Sequence, residues 1–285
     1  EWKSYYPIVY YLISMSVGDY HDYSFYVKTE NSDDSILIQN YIYNSQDYIN
    51  REKEDIDKTG ELIKLFSEVF GPYPFAEEKY GHSVVPIGGG MEHQTMTTLG
   101  NFSFNLVAHE LAHQWFGNNV TCGSWRDIWI NEGFASYSEY IANQYLVSQE
   151  RADLWMLNAF NTVFSEPGGS IYVPLDEIDN AKRIFDGRLS YKKGAAIIHM
   201  IRGEIRNDSL FFNILKEFQS AYKDSVALGT DFKNLLEAKT NIDFTDFFNQ
   251  WYFGEGYPEL NVSWEHKNDT LSINSFQTAS SDVTP

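Results

Sequence analysis

Two histidines and two glutamates carry the clearest chemical signal in the chain. His109 and His113 are four positions apart, so in a helix of 3.6 residues per turn their imidazoles lie roughly 40° apart on one face and reach the same metal ion. Glu110 follows His109 directly, and eighteen residues separate His113 from Glu132. That gap lets the first helix finish, a loop follow and a second helix return. A His, His, Glu set fills three positions of a tetrahedral zinc site and leaves the fourth open, which is the catalytic rather than the structural form. Glu110 falls beside whatever water such an ion holds, where a carboxylate serves as general base. The expected chemistry is zinc-dependent hydrolysis. A third histidine about six residues beyond His113 would point to a different class of zinc peptidase, but Asn119 stands there.

The elements that must position these groups follow from periodicity. The metal-motif helix is expected over residues 103–118, anchored by Leu106, Val107, Leu111, Trp115 and Phe116, with Asn118 and Asn119 stopping it. Asn131-Glu132-Gly133 opens a second amphipathic helix carrying Phe134, Ala135, Tyr140 and Ile141. Asn131 and Glu139 are the candidates for orienting the imidazoles from behind. Upstream, Tyr5 to Val17, Ser24 to Lys28 and Ile36 to Tyr43 read as strands, with a polar loop from Thr29 to Ser35. A helix follows from Asp47 to Phe70 and is ended by Gly71-Pro72. A short strand over 82–87 leads into Gly88-Gly89-Gly90, where glycines permit close approach of another backbone. Helices then dominate from Gln149 to Phe253, and period-two patterns return at Leu260–Trp264 and Leu271–Ile273.

Composition narrows the partners. The chain has 285 residues, 43% hydrophobic and 16% aromatic, ample for a buried core. Its net charge of −19 argues against nucleic acid or an anionic membrane surface as partner. No stretch approaches the roughly 18 to 20 apolar residues of a membrane span. A lone cysteine, Cys122, rules out an intrachain disulfide and a cysteine-rich metal site. None of this fixes the compartment: cytoplasmic and periplasmic or secreted settings are equally compatible.

Three segments taken together resemble the zinc aminopeptidases of the aminopeptidase N family, a gluzincin group whose relatives include the leukotriene hydrolases. Gly89-Gly90-Met91-Glu92-His93 is similar to that family's G-x-M-E-N motif, His109 to His113 with Glu132 to its metal motif, and Ser190-Tyr191-Lys192-Lys193-Gly194-Ala195 to the segment bearing its catalytic tyrosine. The resemblance implies that His109, His113 and Glu132 hold one Zn²⁺ and that Glu110 is the general base. It also implies that Tyr191 donates its hydroxyl to the oxyanion. Glu92 would then bind the free α-ammonium of a peptide, and Gly89, Gly90 and Met91 would line the substrate backbone. His93 replaces the family's asparagine, which bears on substrate preference. His93 is of a metal-ligating type, but the three-ligand set is complete without it, and His199 reads as a packed core residue.

The expected fold is α/β (α+β): a mainly helical, thermolysin-like catalytic domain with a small mixed sheet. Residues 1–43 are expected to be the tail of a preceding β-domain, 44–255 the catalytic domain and 256–285 the start of a following β-domain. The missing flanking domains of the same chain would be further partners. The expected function is release of N-terminal residues from peptides. The rival readings are a thermolysin-type zinc endopeptidase, for which Glu92 would be unnecessary, and a non-catalytic peptide-binding relative, which should lack one of the metal ligands or the base.

Overall fold

The computed structural model describes residues 4–29 and 35–280. The centre of the expected loop between Thr29 and Ser35, together with residues 1–3 and 281–285, lies outside the described residues. The architecture is mixed α/β, mainly helical with a small mixed sheet, as the sequence suggests.

Strands β1 (Tyr20–Lys28) and β2 (Ser35–Tyr43) pair antiparallel. Along β2 the side chains alternate, sending Ile36, Ile38, Asn40 and Ile42 inward. Helix α1 (Gln46–Asp57) is capped by Ser45, whose hydroxyl accepts from the Tyr48 amide. Helix α2 (Thr59–Phe70) buries Leu62, Ile63, Phe66 and Phe70 and ends at Gly71. The single helix expected here is therefore two, divided at Lys58. Strand β3 (Tyr80–Val84) then returns parallel to β2. Strands β4 (Gly90–Met91) and β5 (Thr97–Leu99) complete a sheet of order β1-β2-β3-β5-β4, with β4 on an edge.

The sheet does not end at residue 43, because β2 is one of its inner strands. The parallel crossover through α1 and α2 ties it to β3, and Val27, Ile36, Ile38 and Ile42 belong to the main core. Residues 5–17 are not a strand either. They are irregular apart from a 3₁₀ turn at Tyr10–Leu12, with Tyr10, Ile13, Met15 and Val17 exposed. Their aromatic and β-branched composition suits a strand, but no strand of the described residues pairs with them.

The helical part follows. Helix α3 (Phe104–Ala112) packs against α4 (Trp129–Ala142), and strand β6 (Val120–Cys122) between them pairs parallel with β7 (Ser225–Ala227). Helix α5 (Gln149–Val163), the short α6 (Ala181–Ile184), a π-helical turn at Gly187–Lys193 and α7 (Gly194–Ile205) come next, then α8 (Asp208–Ala221), α9 (Gly229–Thr240) and α10 (Thr245–Phe247). Helices α4 and α7 touch backbone to backbone: a Cβ on Gly194 would lie 2.9 Å from the Cα of Gly133. That contact brings the π-helical turn against the helix carrying Glu132. The chain closes with a hairpin, β8 (Pro258–Lys267) and β9 (Thr270–Ala279), exposed along almost its whole length. No helix of the described residues is long and apolar enough to cross a membrane.

Candidate active site

Helix α3 presents His109 in its last turn and His113 at its C-cap, while α4 presents Glu132 in its first turn. All three are buried, and one ligand atom from each lies within 4.8 Å of the others. The Nδ1 of His113 is 2.9 Å from the Phe116 carbonyl, which can only accept, so Nδ1 carries the proton and Nε2 offers a lone pair. The Nδ1 of His109 faces Glu139 Oε1 at 3.0 Å and donates to it by the same logic. The two Nε2 atoms are 3.1 Å apart and lie 3.4 and 3.3 Å from Glu132 Oε2, an oxygen that is buried without a hydrogen-bond partner. Two ring nitrogens and a carboxylate oxygen thus converge on one point, an arrangement that a positive charge, proton or metal ion, stabilises.

The electrostatics agree. Burial works against charge on His109, yet Glu132 and Glu139 raise it to about 10. His113, opposed in the same way by burial, is raised to about 9 by Glu92 and Glu132. Glu132 is held at about 2 by both histidines despite its burial. The donor set fits a divalent metal of the zinc type: two imidazole nitrogens and one carboxylate, with Glu139 fixing one ring from behind.

Glu110 lies beside this set, pushed up to about 7 by burial against the pull of the two histidines, with Oε2 buried and unpartnered. Edge strand β4 passes so close that a Cβ on Gly90 would sit 2.6 Å from Glu110 Oε1, so any larger residue would displace the strand or the Glu110 side chain. Glu92 follows that strand, and one oxygen of it lies within 4.8 Å of ligand atoms of both Glu110 and His113. Its backbone carbonyl is pinned by Asn118 Nδ2 at 2.8 Å. Gln114 completes the tie, its Oε1 accepting from the Thr95 amide at 2.9 Å. Tyr191, in the π-helical turn, stacks on His109 with centroids 5.8 Å apart and planes 7° from parallel. Burial, then Glu132 and Glu92, raise its phenol, so it remains a hydrogen-bond donor through the neutral range. A cavity of about 740 Å³ opens over these groups, lined by Gly89, Gly90, Met91, Glu92, Glu110 and Tyr191 among others.

The nine residues singled out from sequence, His109, Glu110, His113, Glu132, Glu92, Met91, Gly90, Gly89 and Tyr191, therefore all line one cleft. Two secondary expectations separate. Glu139 does hold an imidazole, whereas Asn131 does not: its Oδ1 accepts from the Cys122 amide and its Nδ2 donates to the Tyr11 hydroxyl at 3.3 Å. His93 pairs with Thr98 Oγ1 at 2.8 Å and is in neither group of candidate metal ligands, and His199 packs on Tyr137 and Tyr140 away from the cleft. Sequence reasoning missed Gln114, Asn118 and Tyr11. The pair Asn118-Asn119 reads as a helix stop, and only the fold reveals its tie to Glu92.

The chain is 32% identical over 178 residues to aminopeptidase N of Lactococcus lactis subsp. lactis, covering 60% of this chain and 21% of that protein. It is 34% identical over 162 residues to glutamyl aminopeptidase of Bos taurus, covering 55% and 17%. A crystal structure of an M1 zinc metallopeptidase mutant from Deinococcus radiodurans superposes with a TM-score of 0.70 at 20% identity, covering 82% of this chain and 52% of that one. The same mutant bound to a Tyr-Ser-Ala substrate gives 0.68, also at 20% identity and with coverage of 82% and 52%. The chain thus spans about a fifth of the length of the two sequence relatives and about half of the crystallised protein. The peptidase family M1 domain matches residues 54–251, well over half of the chain, and the chain belongs to that family.

Proposed function

We propose that the protein is a zinc-dependent aminopeptidase that hydrolyses the first peptide bond of peptides with a free N-terminus. The observation that carries the reading is the position of Glu92, a buried carboxylate beside both Glu110 and His113 in one cleft. A carboxylate there matches the α-ammonium of a peptide whose first carbonyl lies over the metal ligands. A peptidase cutting internally would bring no positive charge to it.

His109, His113 and Glu132 would hold the zinc ion, and the chemistry it supplies when bound is Lewis acidity, which acidifies water and polarises a carbonyl. Glu110, next to the trio and otherwise unpartnered, takes the proton from the attacking water and passes it to the departing amine. Tyr191 donates its hydroxyl to the carbonyl oxygen as charge builds there. Gly89, Gly90 and Met91 offer the edge-strand backbone to the substrate. That the relatives include aminopeptidases, and that a structural neighbour is titled as bound to a tripeptide substrate, supports the same reading. We also propose residues 256–285 as the opening of a further β-unit, supported by the exposure of Leu260, Val262, Trp264, Leu271, Ile273 and Phe276 on the closing hairpin.

The test compares a leucine anilide with its N-acetylated form on the zinc-loaded protein. Hydrolysis of the free-amine compound alone is expected, and cleavage of the blocked compound alone would overturn the assignment.

A further inference from the structure

Residues 4–12 are pinned to the rest of the fold at several points. Glu78 Oε1 accepts from the Tyr5 amide at 2.5 Å and from Ser4 Oγ at 3.2 Å. The Tyr6 ring meets Phe75 edge-on at 5.2 Å, Gln94 Nε2 donates to the Pro7 carbonyl at 3.0 Å, and Leu12 is buried. These pins deliver Tyr11 into the wall of the cavity. Its hydroxyl donates to Glu92 Oε1 at 3.2 Å and accepts from Asn131 Nδ2 at 3.3 Å, and its ring lies 5.9 Å from that of Trp125. Asn131 is itself fixed by the Cys122 amide. The chain Cys122–Asn131–Tyr11–Glu92 therefore runs from β6 to the carboxylate with each donor and acceptor assigned.

Two observations separate a positioning role from a plug. A carboxylate has about four acceptor sites, and the phenol uses one, which leaves capacity for an ammonium on the same group. The cavity of about 740 Å³ is open with Tyr11 already in its wall. We propose that Tyr11 is a substrate-positioning residue, whose hydroxyl orients the Glu92 carboxylate toward the incoming α-ammonium and whose ring, with Trp125, bounds the pocket for the first side chain. The inference rests on the reading of Glu92 as the amine anchor.

The experiment compares Tyr11→Phe and Glu92→Gln with the parent, all zinc-loaded and full length. It reads kcat and KM on leucine anilide, and by calorimetry the affinity for L-leucine and for N-acetyl-L-leucine. Loss of one hydrogen bond to a charged group predicts that Tyr11→Phe raises KM and the Kd for L-leucine about tenfold. The kcat should change by less than about twofold, since the effect falls on ground-state binding. N-acetyl-L-leucine, which lacks the ammonium, should bind Tyr11→Phe and parent alike. Tyr11→Leu, which also removes the ring, should further lower the preference for leucine over alanine anilide, so a folding defect in one variant leaves the other as a test. Unchanged KM and Kd in Tyr11→Phe, with both weakened in Glu92→Gln, would overturn the role of Tyr11 and leave the amine anchor standing. Tighter binding in Tyr11→Phe would make Tyr11 an obstruction and also overturn it. No effect of Glu92→Gln would remove the anchor itself, and the inference with it.

Discussion

The side of the cleft that we assign to the metal draws His109, His113, Glu132 and Glu139 from two adjacent helices. The side that we assign to the peptide amine draws Glu92, Tyr191 and Tyr11 from segments far apart in the chain. The first is local and rigid: side chains four or seven residues apart share a helix face, and the packing of α3 on α4 sets the rest. The second depends on long-range devices. A glycine edge strand is pressed against Glu110, the Gly133–Gly194 contact places the π-helical turn, and Asn118 and Gln114 tie a strand-end loop to the metal helix. In the proposed function, water activation would reside in the part of the fold that forms from neighbours in sequence, and end-specificity in the part that needs the whole domain assembled.

Breaking the first side should cost most. Glu110→Gln is expected to lower kcat by about 10²–10⁴-fold while zinc content, read by metal analysis, stays at one per chain. Retained turnover would remove Glu110 from the chemistry. Glu139→Gln leaves every proposed ligand in place but weakens the group behind His109. Zinc affinity in a chelator competition should fall about 10–100-fold, and no change would mean that the ring is held by packing alone.

The second side is probed by Gly90→Ala, which places a methyl 2.6 Å from Glu110 Oε1. Either the edge strand or Glu110 must shift, at about 1–3 kcal/mol in a chemical-denaturation measurement, together with a loss of activity. A variant with parent stability and turnover would show the approach to be looser than described.

The last effect, confined to acid pH, concerns the sheet that carries both sides. Asn40 Nδ2 donates to the Tyr23 carbonyl, so Asn40 Oδ1 must be the acceptor of the His82 Nδ1 proton at 2.7 Å, and burial followed by Lys79 lowers His82 to about 3. Its folded value lies below the unfolded one of about 6.5. The stability contributed by neutral His82 is thus fully present above about pH 6.5 and lost as pH falls toward 3. The slope reaches about 1.4 kcal/mol per pH unit from this group. His82→Asn should flatten the acid limb of a denaturation series, and an unchanged limb would show that His82 does not report on the sheet.

What was legible in the sequence divides along the same line. The candidate metal ligands could be read directly, because the two histidines stand at helical spacing and the glutamate opens the next amphipathic helix. Glu92 and Tyr191 came into view only through resemblance to a family, since nothing local marks one tyrosine among twenty. Tyr11 was hidden in a segment whose composition reads as strand. Asn131 was expected to orient an imidazole, yet a backbone carbonyl, that of Phe116, holds His113 instead, and backbone partners leave no trace in residue identity. The link from the first two strands to the rest of the sheet was hidden for a related reason. Alternation finds β1 and β2, but their pairing with β3 is made across two intervening helices, which no local period encodes.

The most direct test of the account is a product series. An unmodified peptide of about ten residues, incubated with the zinc-loaded protein and sampled by mass spectrometry, should lose residues one at a time from its N-terminus. Its N-acetylated twin should remain whole. Internal fragments from either peptide, or equal consumption of both, would contradict the assignment of Glu92 as the anchor that makes this zinc cleft an end-cutting one.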